Sequence, residues 1–295
     1  MIGAVAYYIF YSINWIVTLL PLRILYLISD LLFYFVYYFP GYRKKVVAEN
    51  LINAFPEKTE KELKEIEKKF YHHFCDLFIE ISALTHMSQK ELMKRMQFTD
   101  PDFLDKLYAE DRDVALTVGH YGNWEWISIL PAFTKLKLVP IYKPLNNKYF
   151  DRFIFDLRSK YGSAPVAMSN VVREIIRNRK DNIRSIYGFV ADQTPPLPDI
   201  KFWMRFLNQD TPVYLGVEKL SAKYNMAVVF FNIQKIKRGY YKIIPEILFG
   251  QPAGLPEYQI TQTHVKRLEE IIIEKPEYWL WSHRRWKHKR ENPDG

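Results

Sequence analysis

A single cysteine among 295 residues excludes a disulfide framework and suits a reducing compartment. A G-x-S-x-G turn is also missing, which excludes a serine nucleophile elbow, and the one thiol, Cys75, lies far along the chain from the other reactive side chains. There is no internal repeat, and no Gly-Ser linker or low-complexity tract marks off a second domain. No basic residue precedes the first apolar run and no small-residue cleavage site follows it, so a cleavable signal peptide fits poorly. The net charge of +9 calls for an anionic partner, yet no helix-turn-helix, zinc-finger or RNA-binding signature accompanies it. A phospholipid surface, a phosphorylated glycolipid and an acidic carrier protein remain as partners that charge alone does not separate.

What is present begins with apolar sequence. Ile2 to Leu20 carries no formal charge over a length suited to a bilayer-spanning helix. A second apolar run, Ile24 to Phe39, is interrupted only by Asp30, and aromatic residues are dense in both, as in segments at a membrane interface. Arg43-Lys44-Lys45 follows, and basic flanks favour the cytoplasmic side. The expectation is a membrane anchor over residues 1–45, its second run interfacial or a return span, ahead of a catalytic domain over 46–295 with a basic tail. A pair of buried helices in a soluble core is the alternative.

From Pro56 the pattern changes. Thr59-x-x-Glu62 reads as a capping box, after which Leu63, Ile66, Phe70, Phe74, Leu77 and Ile81 recur at helical steps. His72, His73, Cys75, Asp76 and Glu80 lie on this helix, but adjacent histidines diverge by about 100° on a helix, so packing explains them better than a metal site. Further on, strands are expected at Val114 to Val118, Leu138 to Tyr142, Ser185 to Val190, Ala227 to Ile233 and Tyr240 to Ile244. Helices are expected at Trp124 to Phe133, Tyr149 to Tyr161, Val171 to Arg179, Gly216 to Tyr224 and Ile260 to Glu274. Such alternation predicts a single α/β domain with a mostly parallel central sheet flanked by helices, joined to the N-terminal apolar helical membrane anchor.

The chemistry concentrates where the run Val114 to Val118 stops at Gly119 and hands over to His120-Tyr-Gly-Asn-Trp-Glu125. On a continuous helix His120 and Glu125 would diverge by about 140°, so for them to meet, Tyr121 to Asn123 must form a turn. A histidine at the carboxyl end of a strand then faces a carboxylate in the next helix, where open α/β sheets bind ligands. A neutral imidazole so placed can take a proton from an alcohol attacking an acyl carbon, with the carboxylate fixing its tautomer. Two further candidates are Arg158, a permanent charge late on an apolar helix, and Asp192, which ends the strand Ser185 to Val190 and opens onto the same sheet edge. A structural ion pair for Arg158 and a turn cap for Asp192 are their plainer readings. The apolar loop Thr194 to Pro198, with Phe202, Trp203, Met204 and Phe206, suits a groove for acyl chains, a seat on the bilayer, or simply core.

His120-Tyr-Gly-Asn-Trp-Glu125 resembles the His-x-x-x-x-Asp/Glu block of the glycerolipid and lysophospholipid acyltransferase superfamily, in the form found in the bacterial lipid A late acyltransferases. Similar blocks recur in order at Glu49-Asn50-Leu51, Ala54-Phe55-Pro56-Glu57, Tyr142-Lys-Pro with Asn146, Arg158 before Tyr161-Gly162, Ala191-Asp192-Gln193, Phe206-Leu207 with Thr211, and Pro276 to Lys287. The chain departs from that pattern at Asn208, where a glycine is common, and it lacks the Pro-Glu-Gly-Thr block of the glycerol-phosphate branch. The resemblance implies an acyltransferase of the bacterial inner membrane, facing the cytoplasm, that moves an acyl chain from a thioester on acyl carrier protein to a hydroxyl of a phosphorylated glycolipid. His120 would be the base and Glu125 its partner. Arg158, Asp192 and Asn123 would place substrate, with an oxyanion received by backbone N–H groups near Asn123 and Trp124. Arg284, Arg285 and Lys287, in a tail of five cations over seven positions, would meet the membrane or the carrier. No cofactor or metal and no nucleic acid is implied. An acyltransferase for an aminolipid or glycophospholipid, and a non-catalytic membrane-binding module, are the alternatives.

Overall fold

A computed structural model describes residues 2–39 and 41–290. Two apolar helices, α1 (Ile2–Val17) and α2 (Leu22–Tyr38), open the chain, followed by α3 (Lys44–Ala54) and the long α4 (Glu60–Ala83). The capping box at the start of α4 forms as the sequence predicts: the Thr59 hydroxyl accepts from the Glu62 backbone N–H while the Glu62 carboxylate accepts from that of Thr59. Short α5 (Gln89–Arg95), β1 (Met96–Phe98) and α6 (Phe103–Ala109) lead into β2 (Val114–Val118) and a 3-10 helix, Trp124–Ala132. Then come β3 (Lys137–Tyr142), α7 (Lys148–Ser159), β4 (Val166–Ala167), α8 (Val171–Lys180) and β5 (Ser185–Val190). A hairpin of β6 (Trp203–Phe206) and β7 (Gln209–Pro212) precedes α9 (Gly216–Tyr224), β8 (Ala227–Lys237), β9 (Tyr240–Phe249) and α10 (Gln259–Glu274).

Seven strands form one sheet in the order β1-β9-β8-β2-β5-β3-β4. All neighbours run parallel except β8 and β9. This is the mostly parallel α/β sheet the alternation implied, with β2 and β5 at its centre. Both faces of β2 are buried, one against the cluster of Leu116, Trp126, Leu138, Ile186 and Val229 and the other against Ala115, Val139, Tyr187 and Val228. Burial on both sides is why its sequence is an unbroken apolar run and not an alternation. A further cluster, Phe33, Phe70, Phe206, Trp279 and Trp281, packs α2 and α4 onto the C-terminal segment.

The expected membrane anchor is corrected by the structure: no helix of the described residues is long and apolar enough to cross a membrane. The apolar stretch is broken near Pro21 into helices of 16 and 17 residues, each short of the ~20 a span needs. Both also bind the domain through polar groups a lipid-embedded helix would bury at a cost. Asn14 donates to Thr85, Ser29 to Asp76, and Asp30 is ion-paired with Arg238. The outward faces stay apolar, with Ile9, Ile13, Ile16, Leu27, Leu31 and Phe35 all exposed.

At Asn208 the backbone makes a left-handed turn, with Leu207 and Asn208 both at positive φ, 47° and 60°. The Asn208 amide also donates to the Ala54 carbonyl, a bond a glycine there would lack. Phe206 is core, and Phe202 stacks on Tyr258 with ring centroids 4.1 Å apart.

Candidate active site

The site is built where β2 and β5 end side by side. Their parallel register pairs Val118 with Val190, and two residues further along each chain stand His120 and Asp192. The register alone therefore brings them level at the carboxyl edge of the sheet. His120 Nδ1 lies 2.6 Å from Asp192 Oδ1, and the His120 backbone N–H donates to Asp192 Oδ2 at 2.9 Å. The Trp279 indole N–H donates to that same Oδ2 at 2.7 Å. Burial works to raise the Asp192 pKa, but the attraction of His120 and these donated hydrogen bonds hold it down to about 2. An ionised Asp192 only accepts, so Nδ1 carries the proton of a neutral imidazole and Nε2 is left as its basic atom. The Gln193 side-chain amide lies 3.1 Å from Nε2, and the Trp124 ring packs edge-on against the imidazole.

The carboxylate partner of His120 is thus Asp192, and the expected pairing with Glu125 is corrected. Tyr121 to Asn123 do form a turn, but the 3-10 helix after it aims Glu125 at α7. There Arg158 grips it with both arms of the guanidinium, Nε to Oε2 at 2.9 Å and Nη2 to Oε1 at 2.5 Å. Burial tends to raise the Glu125 pKa, and Arg158 more than reverses that, leaving it lowered. Glu125 still borders the site, since Trp124, whose ring packs against His120, donates to it.

Asn123 is fully buried and both ends of its amide are engaged. Its oxygen caps the 3-10 helix by accepting from the Trp126 N–H, and its nitrogen donates to Glu80 at 2.8 Å. Its side chain therefore holds the turn and does not reach substrate, contrary to the expectation. Two glycines let this turn close. A side chain at Gly119 would come within 2.5 Å of Leu268, and Gly122 has φ +61° with the Ile233 carbonyl oxygen only 3.1 Å from where a Cβ would sit.

Helix α4 supplies residues the sequence pointed to only as packing. His73 and Glu80, two turns apart on one face, both reach the turn: the His73 ring contacts the Gly122 carbonyl at 3.2 Å, while Glu80 accepts from Asn123, Tyr26 and Tyr241. Burial raises the Glu80 pKa. Their seven-residue spacing was the available signal. Among the described residues no group of three or more His, Cys, Asp or Glu side chains is arranged to hold a metal ion.

The C-terminal segment closes the site from above. Leu280 N–H donates to the His120 carbonyl, Gly122 N–H to that of Tyr278, and the Thr194 N–H to His283 Nε2. Burial pushes the His283 pKa down to about 4, so it is neutral and accepts. Arg285, expected at the surface, is corrected to the interior. It is 1% exposed and donates to the Pro212 carbonyl, because the turn at the chain's end folds it inward with Trp286. Arg284 and Lys287 are exposed and line a groove of about 650 Å³ with Arg43, Lys44, Lys45 and Lys289.

Such an arrangement can withdraw a proton from a bound hydroxyl without a nucleophilic side chain. Residues 2–288 match the model of the family described as bacterial lipid A biosynthesis acyltransferase. The chain is also similar to a lipid A biosynthesis acyltransferase of Haemophilus influenzae, 21% identical over 240 residues, covering 79% of this chain and 72% of that protein. With nearly its full described length inside the family pattern, and a histidine-carboxylate pair at the head of its sheet, the chain belongs to the bacterial lipid A biosynthesis acyltransferase family, a family of acyltransferases.

Proposed function

We propose that this acyltransferase moves a fatty acyl chain from a thioester on acyl carrier protein to a hydroxyl of a lipid A precursor, at the cytoplasmic face of the bacterial inner membrane. The observation that carries the reading is the His120 imidazole, oriented by an ionised Asp192 so that Nε2 is its basic atom. Nε2 takes the proton of the acceptor hydroxyl as its oxygen bonds to the thioester carbonyl carbon. The tetrahedral intermediate then collapses, the carbon–sulfur bond breaks, and the departing sulfur leaves as a thiol with the proton that the imidazolium returns. One ester forms and one thioester is lost. Backbone N–H groups at the start of the 3-10 helix, near Trp124, are suited to the oxyanion because the helix dipole favours negative charge there.

The cationic groove between α3 and the C-terminal segment supports an acidic carrier as donor, since Arg43, Lys44, Lys45, Arg284, Lys287 and Lys289 converge from opposite ends of the chain. The exposed apolar faces of α1 and α2 support a place in the membrane interface without crossing it.

The test is transfer in vitro with acyl carrier protein and coenzyme A thioesters side by side, on a panel of lipid A precursors, aminolipids and glycophospholipids. We expect the carrier thioester and the lipid A precursor to be preferred and His120→Ala to abolish transfer. Equal activity of His120→Ala, or acylation of the other lipids alone, would overturn the reading.

A further inference from the structure

The chemistry above leaves unexplained a cavity of about 60 Å³ between the sheet and the 3-10 helix. Its lining includes Trp124, Glu125 and Arg158 and, from the sheet, Leu116, Leu138 and Gly188. Trp124, whose ring lies against His120, is shared between the cavity's lining and the surroundings of the dyad. The sheet residues of the lining lie on the face of β2, β5 and β3 on which Leu116 and Leu138 are buried.

Gly188 is what leaves this space open. It sits in the middle of β5, the strand between β2 and β3, in register with Leu116 on one side and Pro140 on the other. A glycine at such a position weakens a strand and often marks where something else approaches the backbone. Backbone conformation does not demand it, because its φ is one that other residues adopt. Space does not demand it either: an added Cβ would meet only the Pro140 Cα, at an ordinary 3.7 Å. The side chain is missing where both strand geometry and packing would admit one.

We propose that this cavity receives the far end of the donor's acyl chain and that Gly188 sets the longest chain the enzyme accepts. The inference rests on the acyl-transfer reading above. Gly188 lies four residues before Asp192, so a straight path from the dyad to this wall covers at most roughly 14 Å at the rise of an extended strand. A saturated chain of medium length fills that path, and each methylene beyond the wall meets sheet. Because one methylene in an apolar pocket shifts kcat/KM by about 10- to 200-fold, one added side chain suffices to move the cut-off.

The experiment compares the full chain with Gly188→Ala and Gly188→Val, each assayed for transfer from a series of carrier thioesters, octanoyl to hexadecanoyl, to a lipid A precursor. We expect the ratio of kcat/KM for the wild type's preferred chain to that for a chain two carbons shorter to fall stepwise, by about tenfold or more in Gly188→Val. An unchanged ratio in a variant that still transfers overturns the inference. If Gly188→Val does not fold, Gly188→Ala, which meets no close contact, decides by the same ratio. Failure of the wild-type chain to transfer from any thioester defeats the underlying acyl-transfer reading instead, which keeps the two failures distinct.

Discussion

The Trp279 indole and the His120 backbone N–H share a single oxygen of Asp192, Oδ2, at 2.7 and 2.9 Å, which leaves Oδ1 to the imidazole alone. The carboxylate is thereby fixed in rotation before any substrate arrives. A group that fixes the tautomer of a base in this way acts through the base, so its loss is felt in the chemical step.

Asp192→Asn keeps the shape of the site but removes the charge that stabilises the imidazolium. We expect kcat to fall by about 10²- to 10⁴-fold, the typical worth of positioned base catalysis, with KM little changed. Steady-state kinetics beside a thermal melt check this, and a fall in KM's favour alone, with kcat intact, counts against the pairing.

Glu125 and Arg158 form a half-buried bidentate pair, and removing one partner leaves the other without its counter-charge. Glu125→Ala is expected to cost about 1–3 kcal/mol of stability by urea unfolding, against less than ~1 kcal/mol for Glu65→Ala, whose ion pair with Lys69 is exposed. Equal costs for the two substitutions would show that the pair is not what holds α7 to the 3-10 helix.

Glu80 accepts three hydrogen bonds, two of them on the same oxygen. In Glu80→Gln the amide nitrogen replaces one acceptor and faces a donor. A loss of about 1–3 kcal/mol is expected, with kcat reduced because Asn123 no longer anchors the turn. The activity loss should be recovered at low temperature if the turn has only loosened, which activity measured against temperature reads directly.

Acid stability follows from buried neutral histidines. Burial lowers the His264 pKa from its ordinary 6.5 to about 4, so the unfolded chain binds more protons between those values. The sign is that stability is complete above pH 6.5 and declines as pH falls toward 4, by up to about 3 kcal/mol for this group. Urea midpoints at neutral pH and at pH ~5 measure it, and His264→Phe should flatten the decline.

Much of the fold was legible because its central elements announce themselves locally. The bounds expected for the strand Ser185 to Val190 and the helix Gly216 to Tyr224 are those observed. Two-residue β4 and three-residue β1 carry too little pattern to be seen, and the apolar runs mimic an anchor because run length records neither the end of α1 at Val17 nor the contacts of Asn14 and Asp30. In the site, His120 and Asp192 each stood out, but their union depends on β2 lying beside β5, which sequence order does not reveal. Glu125 was preferred for its nearness along the chain. Arg285 read as one cation among five, since a turn that folds one of them inward leaves no mark in composition.

One consequence concerns synthesis. The carbonyl of His120 and the carboxylate of Asp192 accept hydrogen bonds from residues 279 and 280, and the N–H of Gly122 donates one to the carbonyl of Tyr278. A polypeptide stopped at Pro276 would have the entire sheet and α10 but lack the short strip that clips across the mouth of the fold, and it is expected to be silent toward its lipid.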